Sequence, residues 1–117
     1  MSKVAIVCTG CGPKSIYPSF VFGSAAAALG DEVILFVCPA AAPAMRAGEL
    51  EKIQVSGMPD LSDLVSGFKE AGGRIQLCEL AFETQSIELE ELREAVEVVG
   101  VNRFLVDTQD GARTFCL

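Results

Sequence analysis

Apolar and polar positions alternate between two patterns along the chain. Short, mostly apolar runs, typical of strands buried on both faces of a parallel sheet, are separated by longer segments whose apolar residues recur every three or four positions. The short runs predict strands at residues 4–8, 32–37, 74–78, 101–106 and 113–117. The longer segments predict helices at residues 15–29, 60–71 and 86–99, with a further short helix within residues 40–57.

The helix predicted at residues 86–99 follows directly from its spacing. Ser86 is a suitable N-cap, and glutamates in the first turn suit the positive end of the helix dipole. The apolar stripe consists of Leu89, Leu92, Val96 and Val99. Gly100 ends this helix, and the strand at residues 101–106 follows it.

Strands that alternate with helices favour a parallel sheet flanked by helices. We therefore expect an α/β fold, a three-layer α/β/α sandwich with a mainly parallel sheet of about five strands, built by one domain over residues 1–117. The direction of the last strand stays open. Residues 108–112 are too few for an ordinary helical crossover, and Asp110-Gly111 is typical of a hairpin turn.

The charge of the chain is acidic and unevenly distributed. Of the net charge of −7, residues 1–48 contribute +1 and the remainder −8, which argues against binding to nucleic acid or to an anionic membrane surface. The longest uncharged run, residues 15–30, is 16 residues long, whereas a spanning helix needs about 20. Since no secretory signal precedes the first strand, we expect a cytoplasmic protein. Because the first half of the chain carries few charges, we expect its surface to be covered by other subunits of a homo-oligomer.

The chain has five cysteines and no histidine. The absence of histidine excludes Ser-His-Asp and Cys-His catalysis and His-ligated metals. In a chain expected to be cytoplasmic, five cysteines favour reactive or ligating thiols over a disulfide framework.

Three cysteines end predicted strands, and a parallel sheet would bring them to the edge where ligands bind. They are Cys8, Cys38 and Cys78, with Cys11 in the first loop. Cys8 and Cys11 form a C-x-x-C, which is either a redox pair or two small residues in a tight turn. Four thiolates would suit zinc or an iron–sulfur cluster, but a second C-x-x-C is missing, and no cofactor is expected. Cys116 is interpreted as a small core residue.

Cys78 is predicted to be the most reactive thiol. Its acidic sequence neighbours disfavour a thiolate, so reactivity needs compensation. The candidates are backbone amides of the loop 79–86 and a cation, either Lys14 or Arg46.

Four segments carry a family resemblance: AAAALGDEVILF (25–36), MPDLSDL (58–64), GGRIQLCELAF (72–82) and IELEELREAVEVVGVNRFL (87–105). With these segments the chain resembles the DsrE/DsrF-like sulfur-relay family, in particular its small stand-alone DsrE-like proteins. The resemblance implies a three-layer α/β/α fold, a trimeric or hexameric assembly, and one cysteine that carries sulfur as a persulfide. The matching cysteine is Cys78.

The leading hypothesis is a cytoplasmic sulfur carrier, or sulfurtransferase-like protein, that accepts sulfane sulfur on Cys78. It would relay that sulfur from a donor protein to an acceptor protein. Two alternatives stay open. One is a thiol-rich module that holds a metal or an iron–sulfur cluster, and the other is a dithiol redox protein that uses Cys8 and Cys11.

Overall fold

The computed structural model describes residues 2–117. Its sheet is built from β1 (Lys3–Cys8), β2 (Glu32–Val37), β3 (Arg74–Cys78), β4 (Val96–Val99) and β5 (Arg113–Cys116). The helices are α1 (Pro13–Ala28), α2 (Leu61–Glu70), α3 (Ala81–Thr84) and α4 (Val101–Asp107). Short 3₁₀ segments lie at Pro39–Met45, Leu50–Lys52 and Leu89–Glu91.

The sheet is parallel throughout, with the strand order β4-β3-β2-β1-β5. The chain moves one strand at a time from β1 to β4 and then returns across the sheet to β5. Because crossovers between parallel strands are right-handed, connections that run in opposite directions along the sheet cross it on opposite faces. The expected α/β sandwich is therefore confirmed, and the chain leaves β3 and β4 towards opposite faces.

The larger core lies between the sheet and the helices α1 and α2. At its centre Phe20 and Phe68 meet edge to face, with ring centroids 5.7 Å apart. Two glycines make room for Phe68: a Cβ on Gly23 would lie 3.0 Å from its ring, and one on Gly73 would lie 2.4 Å away. This face therefore has a dense, specifically shaped core.

The opposite face of the sheet is covered by α4, whose buried residue is Phe104. Its ring stacks on Phe36, with centroids 4.6 Å apart. The smaller core formed there consists of Ala5, Ile34, Phe36, Cys78 and Phe104. Three further apolar residues of α4 are exposed: Val101, Leu105 and Val106. A short helix thus shields this face through one buried aromatic side chain.

Most predicted elements are confirmed. The strands at 4–8, 32–37, 74–78 and 113–117 and the helices at 15–29 and 60–71 differ from the observed ones by at most two residues. The last strand is parallel to β1. Within residues 2–117, no helix combines the length and apolar character that crossing a membrane requires.

The prediction for residues 86–106 is wrong, because strand and helix are exchanged there. Residues 96–99 form β4, and the preceding segment is held by residues 45–47: Arg93 N donates to Met45 O (2.9 Å) and Ala47 N donates to Glu91 O (2.8 Å). These hydrogen bonds to residues 45–47 satisfy backbone N–H and C=O groups that would otherwise bond to each other within a helix. Ser86 has φ 52° and is not a helix N-cap.

The helix α4 occupies the segment predicted as the strand 101–106. Gly100 caps it in an extended conformation, and Arg103 Nε pairs with Asp107 Oδ1 at 3.0 Å, one turn apart. Since α4 supplies a helical crossover, the five residues after it need not form a hairpin. This explains why β5 is parallel.

Candidate functional site

Cys78 lies at the point where neighbouring connections diverge. It is the last residue of β3, is paired in register with Val99 at the end of β4, and is 4% exposed. The connection after β3 runs over the α1 and α2 face, whereas α4 runs over the opposite face. In open α/β sheets this kind of switch point, at the carboxyl ends of the strands, is the usual ligand-binding crevice.

A second thiol, Cys38, lies beside Cys78. Val37 is paired with Leu77, and Cys38 continues β2 by one extended residue, with its N–H donating to Cys8 O at 3.1 Å. Cys38 is therefore opposite Cys78 on the adjacent strand, at a strand separation of about 4.8 Å. It packs against the same small core. The sequence hypotheses include Cys38 only in the metal-binding alternative and give it no role in sulfur transfer, although both cysteines stand at the end of a predicted strand.

The environment of Cys38 favours its neutral form. The residue is half-buried, and burial raises the pKa of its thiol. The neighbouring thiols of Cys78, Cys8 and Cys116 raise that pKa further, because like charge disfavours a second thiolate. Cys38 is consequently a protonated thiol at neutral pH.

Cys8 and Cys11 lie apart from this pair. Cys8 packs into the larger core on the α1 and α2 face, and its Sγ donates to Gly10 O at 3.5 Å. Burial raises the pKa of Cys8, which is opposite to the lowered pKa that a redox pair needs. Cys11 is exposed and lines a cleft of about 240 Å³ together with Pro43 and Lys52.

Cys116 is exposed rather than a core residue, so that interpretation is wrong. It is paired with Val7 at the end of β5, three strand spacings from β3, or about 14 Å. Within residues 2–117, no three Cys, Asp or Glu side chains come close enough together to hold a metal ion.

The expected cations do not bond to Cys78 among the described residues. Arg46 Nε donates to Glu91 Oε2 at 3.0 Å, and Lys14 is exposed in the first turn of α1. The amide that follows Cys78 is also engaged, because Glu79 N donates to Val99 O at 2.9 Å. The Glu79 carboxylate reaches the start of α4, where a Cβ on Gly100 would lie 3.2 Å from its Oε1.

Gln76 ties α4 to the strand that carries Cys78. It lies two residues before Cys78 on the same face and is fully buried. Its Nε2 donates to Asp107 Oδ2 at 2.8 Å, which lowers the pKa of Asp107, and Arg103 lowers that pKa further. The Gln76–Asp107 hydrogen bond and the Phe104 ring thus hold α4 over the two thiols.

Comparisons with known proteins establish the fold. No family model matches the chain. An uncharacterised protein of Methanocaldococcus jannaschii, MJ0760, is 29% identical over 98 residues, which cover 83% of this chain and 36% of that protein. The chain therefore spans about a third of the length of the curated relative that it matches.

Three solved structures share the fold over nearly all of both chains. YchN from E. coli has a TM-score of 0.80 at 17% identity, with 100% of both chains covered. MTH1491 from Methanobacterium thermoautotrophicum, a protein of unknown function, has a TM-score of 0.77 at 14% identity, also with 100% of both chains covered. BT1422 from Bacteroides thetaiotaomicron, a protein of unknown function, has a TM-score of 0.71 at 10% identity, with 99% of this chain and 95% of the other covered. At these identities the likeness is one of fold.

Proposed function

We propose that the protein is a sulfur carrier that accepts sulfane sulfur on Cys78 and relays it to a partner protein. The observation that carries the proposal is the position of Cys78 at the end of β3, at the switch point of the parallel sheet. The resemblance of the surrounding sequence to DsrE-like proteins supports the same cysteine.

The loading step exchanges one sulfur–sulfur bond for another. The Cys78 thiolate attacks the outer sulfur of a persulfide or polysulfide donor. The bond between that sulfur and the donor breaks, the donor leaves as a thiolate, and a persulfide forms on Cys78. No external oxidant or reductant is consumed. Transfer to an acceptor thiolate repeats the exchange in the opposite sense.

The burial of Cys78 suits a carrier. A persulfide under α4 is shielded from solvent thiols that would otherwise reduce it, and the donor gains access when α4 or the exposed residues after β3 move. Glu79 and Leu80 form that exposed segment. The proposal therefore includes local opening of the α4 face as part of loading.

The two alternative hypotheses have weaker support. A resident metal or cluster lacks a set of three candidate ligands within residues 2–117. A dithiol reaction of Cys8 and Cys11 needs a low-pKa thiol, whereas burial raises the pKa of Cys8. The proposal keeps a cytoplasmic location and a homo-oligomer, with sulfur donor and acceptor proteins as partners.

The test is sulfur uptake by wild type and by each of the five Cys→Ser variants. Each protein is incubated with polysulfide, desalted without reductant, and its intact mass is measured. Wild type and four variants should gain the mass of one sulfur atom, whereas Cys78→Ser should not. Cys116→Ser is the matched control, because Cys116 also ends a strand but is exposed. Full uptake by Cys78→Ser would refute the proposal.

A further inference from the structure

We infer that Cys38 is a resolving thiol for Cys78, which discharges the Cys78 persulfide as hydrogen sulfide and closes a Cys38–Cys78 disulfide. The inference rests on the proposed function and adds a second outcome for the bound sulfur. When no acceptor protein arrives, the loaded protein releases its sulfur as sulfide and becomes an oxidised, inactive form. The observation that points to it is the placement of two free thiols opposite each other, Cys78 at the end of β3 and Cys38 directly after β2.

The geometry allows a bond between these residues. The β2–β3 register pairs Val37 with Leu77, so Cys38 and Cys78 are opposite each other one position further along. Adjacent strands are about 4.8 Å apart, which lies within the roughly 4.4–6.8 Å between Cα atoms that disulfides span. Both side chains pack on the α4 face, in contact with the core that contains Phe36 and Phe104. The register and the shared face therefore place the two residues at a separation that a disulfide can span.

The step is balanced without an external redox agent. The Cys38 thiolate attacks the inner sulfur of the Cys78 persulfide. A new bond joins Cys38 Sγ to Cys78 Sγ, and the bond between Cys78 Sγ and the outer sulfur breaks. The outer sulfur leaves as hydrosulfide and is reduced, Cys38 Sγ is oxidised from a thiolate to a disulfide sulfur, and Cys78 Sγ keeps the oxidation level that it had in the persulfide.

Other cysteines are less suited to this role. Cys8 packs on the opposite face of the sheet, among the residues under α1 and α2. Cys116 is three strands from β3 in the sheet order, and Cys11 lies in the exposed first loop. Cys38 thus lies on the same face of the sheet as Cys78 and at the end of the neighbouring strand.

The resting state of Cys38 suits a slow, secondary reaction. Burial and the neighbouring thiols raise its pKa, so only a small fraction is thiolate at neutral pH. The persulfide accordingly has time to meet an acceptor before Cys38 attacks. A free, low-pKa thiol at this position would empty the carrier at once.

The test follows the sulfur after loading. Wild type, Cys38→Ser and the control Cys116→Ser are loaded with polysulfide and desalted, and intact mass and released sulfide are measured over time. Wild type and the control should lose the mass of hydrogen sulfide, ending two hydrogens below the reduced protein, with one equivalent of sulfide released per chain. Cys38→Ser should keep its persulfide at least tenfold longer.

Tryptic mapping identifies the bond in wild type without reliance on a variant. Cys38 lies in the peptide 15–46 and Cys78 in the peptide 75–93, whereas Cys8 and Cys11 share the peptide 4–14. The inference predicts that 15–46 and 75–93 become linked as sulfide appears. Equal persulfide lifetimes in wild type and Cys38→Ser would overturn the inference and leave the carrier proposal standing. Failure of peptide 75–93 to gain sulfur at the earliest time would overturn both.

Discussion

Phe104 is the residue whose removal should uncover the thiol pair. It is 5% exposed, and its ring stacks on Phe36 with centroids 4.6 Å apart. It is also the buried apolar side chain of the seven-residue helix α4. Replacing Phe104 by alanine removes this contact and leaves the Gln76–Asp107 hydrogen bond as a remaining tie between α4 and β3.

The size of the effect follows from the burial. A buried Phe→Ala change usually costs about 3–5 kcal/mol, and the stacked pair accounts for about 0.5–1.5 kcal/mol of that. At the lower end, about 3 kcal/mol, the midpoint of thermal unfolding should fall by about 10 °C. If the same 3 kcal/mol acts on detachment of α4 alone, the detached population rises about a hundredfold.

The assay is alkylation of Cys78 relative to Cys116 under native conditions. Cys116 is exposed, so its peptide, 114–117, is an internal reference for reagent activity. Brief iodoacetamide treatment followed by tryptic mapping should show Cys78 reacting ten- to a hundredfold faster in Phe104→Ala than in wild type. Leu105→Ala is the matched control, because Leu105 is the next residue of α4 and is 58% exposed.

Two results would refute this account of α4. The first is a loss of unfolding free energy below about 1 kcal/mol, since that is too small for a buried aromatic side chain. The second is an unchanged alkylation rate of Cys78 in a variant that is otherwise folded. That result would mean that α4 does not control access to the thiol pair.

Three further predictions concern packing, pH dependence and assembly. Gly73→Ala places a Cβ 2.4 Å from the Phe68 ring and should lower the unfolding free energy by about 1–3 kcal/mol. Gly67→Ala is the control: its Cβ meets open space in α2, so it should raise the unfolding free energy by about 0.5–1 kcal/mol. Urea unfolding measures both variants, and equal effects would contradict the close packing around Phe68. Because Gln76 holds the pKa of Asp107 below its ordinary value, the stability from Asp107 is present at neutral pH and is lost as the pH falls through that lowered pKa. Asp107→Asn should therefore reduce the loss of unfolding free energy between neutral pH and about pH 3, and an unchanged pH slope would argue against the bond. Light scattering at micromolar concentration should give the mass of three subunits or a multiple, and a monomer would remove the proposed homo-oligomer.

The sequence predicted the fold class because the buried strands are distinctive. Residues 4–8, 32–37 and 74–78 are short runs rich in apolar residues, and turn or helix signals bound them. Between residues 86 and 106 the same logic failed, since Val96 and Val99 fit a helical spacing as well as a strand. The pairing of residues 91–93 with 45–47 decided the outcome, and contacts of such long range leave no local pattern.

The candidate site was only partly predictable for a related reason. The end of a buried strand places Cys78 at the ligand edge of a parallel sheet, and a single sequence is enough to infer that. The partnership with Cys38 depends on the register between β2 and β3, which the sequence leaves undetermined. The cover over both thiols depends on α4, whose segment was predicted as a strand.

The central proposal is tested most directly by locating the first sulfur atom that the wild-type chain accepts. One equivalent of polysulfide is added to the reduced protein, the reaction is stopped early with an alkylating reagent that traps persulfides, and tryptic peptides are analysed. We expect the additional sulfur on peptide 75–93, which contains Cys78. Sulfur found instead on peptide 4–14 or 114–117, with none on 75–93, would contradict it.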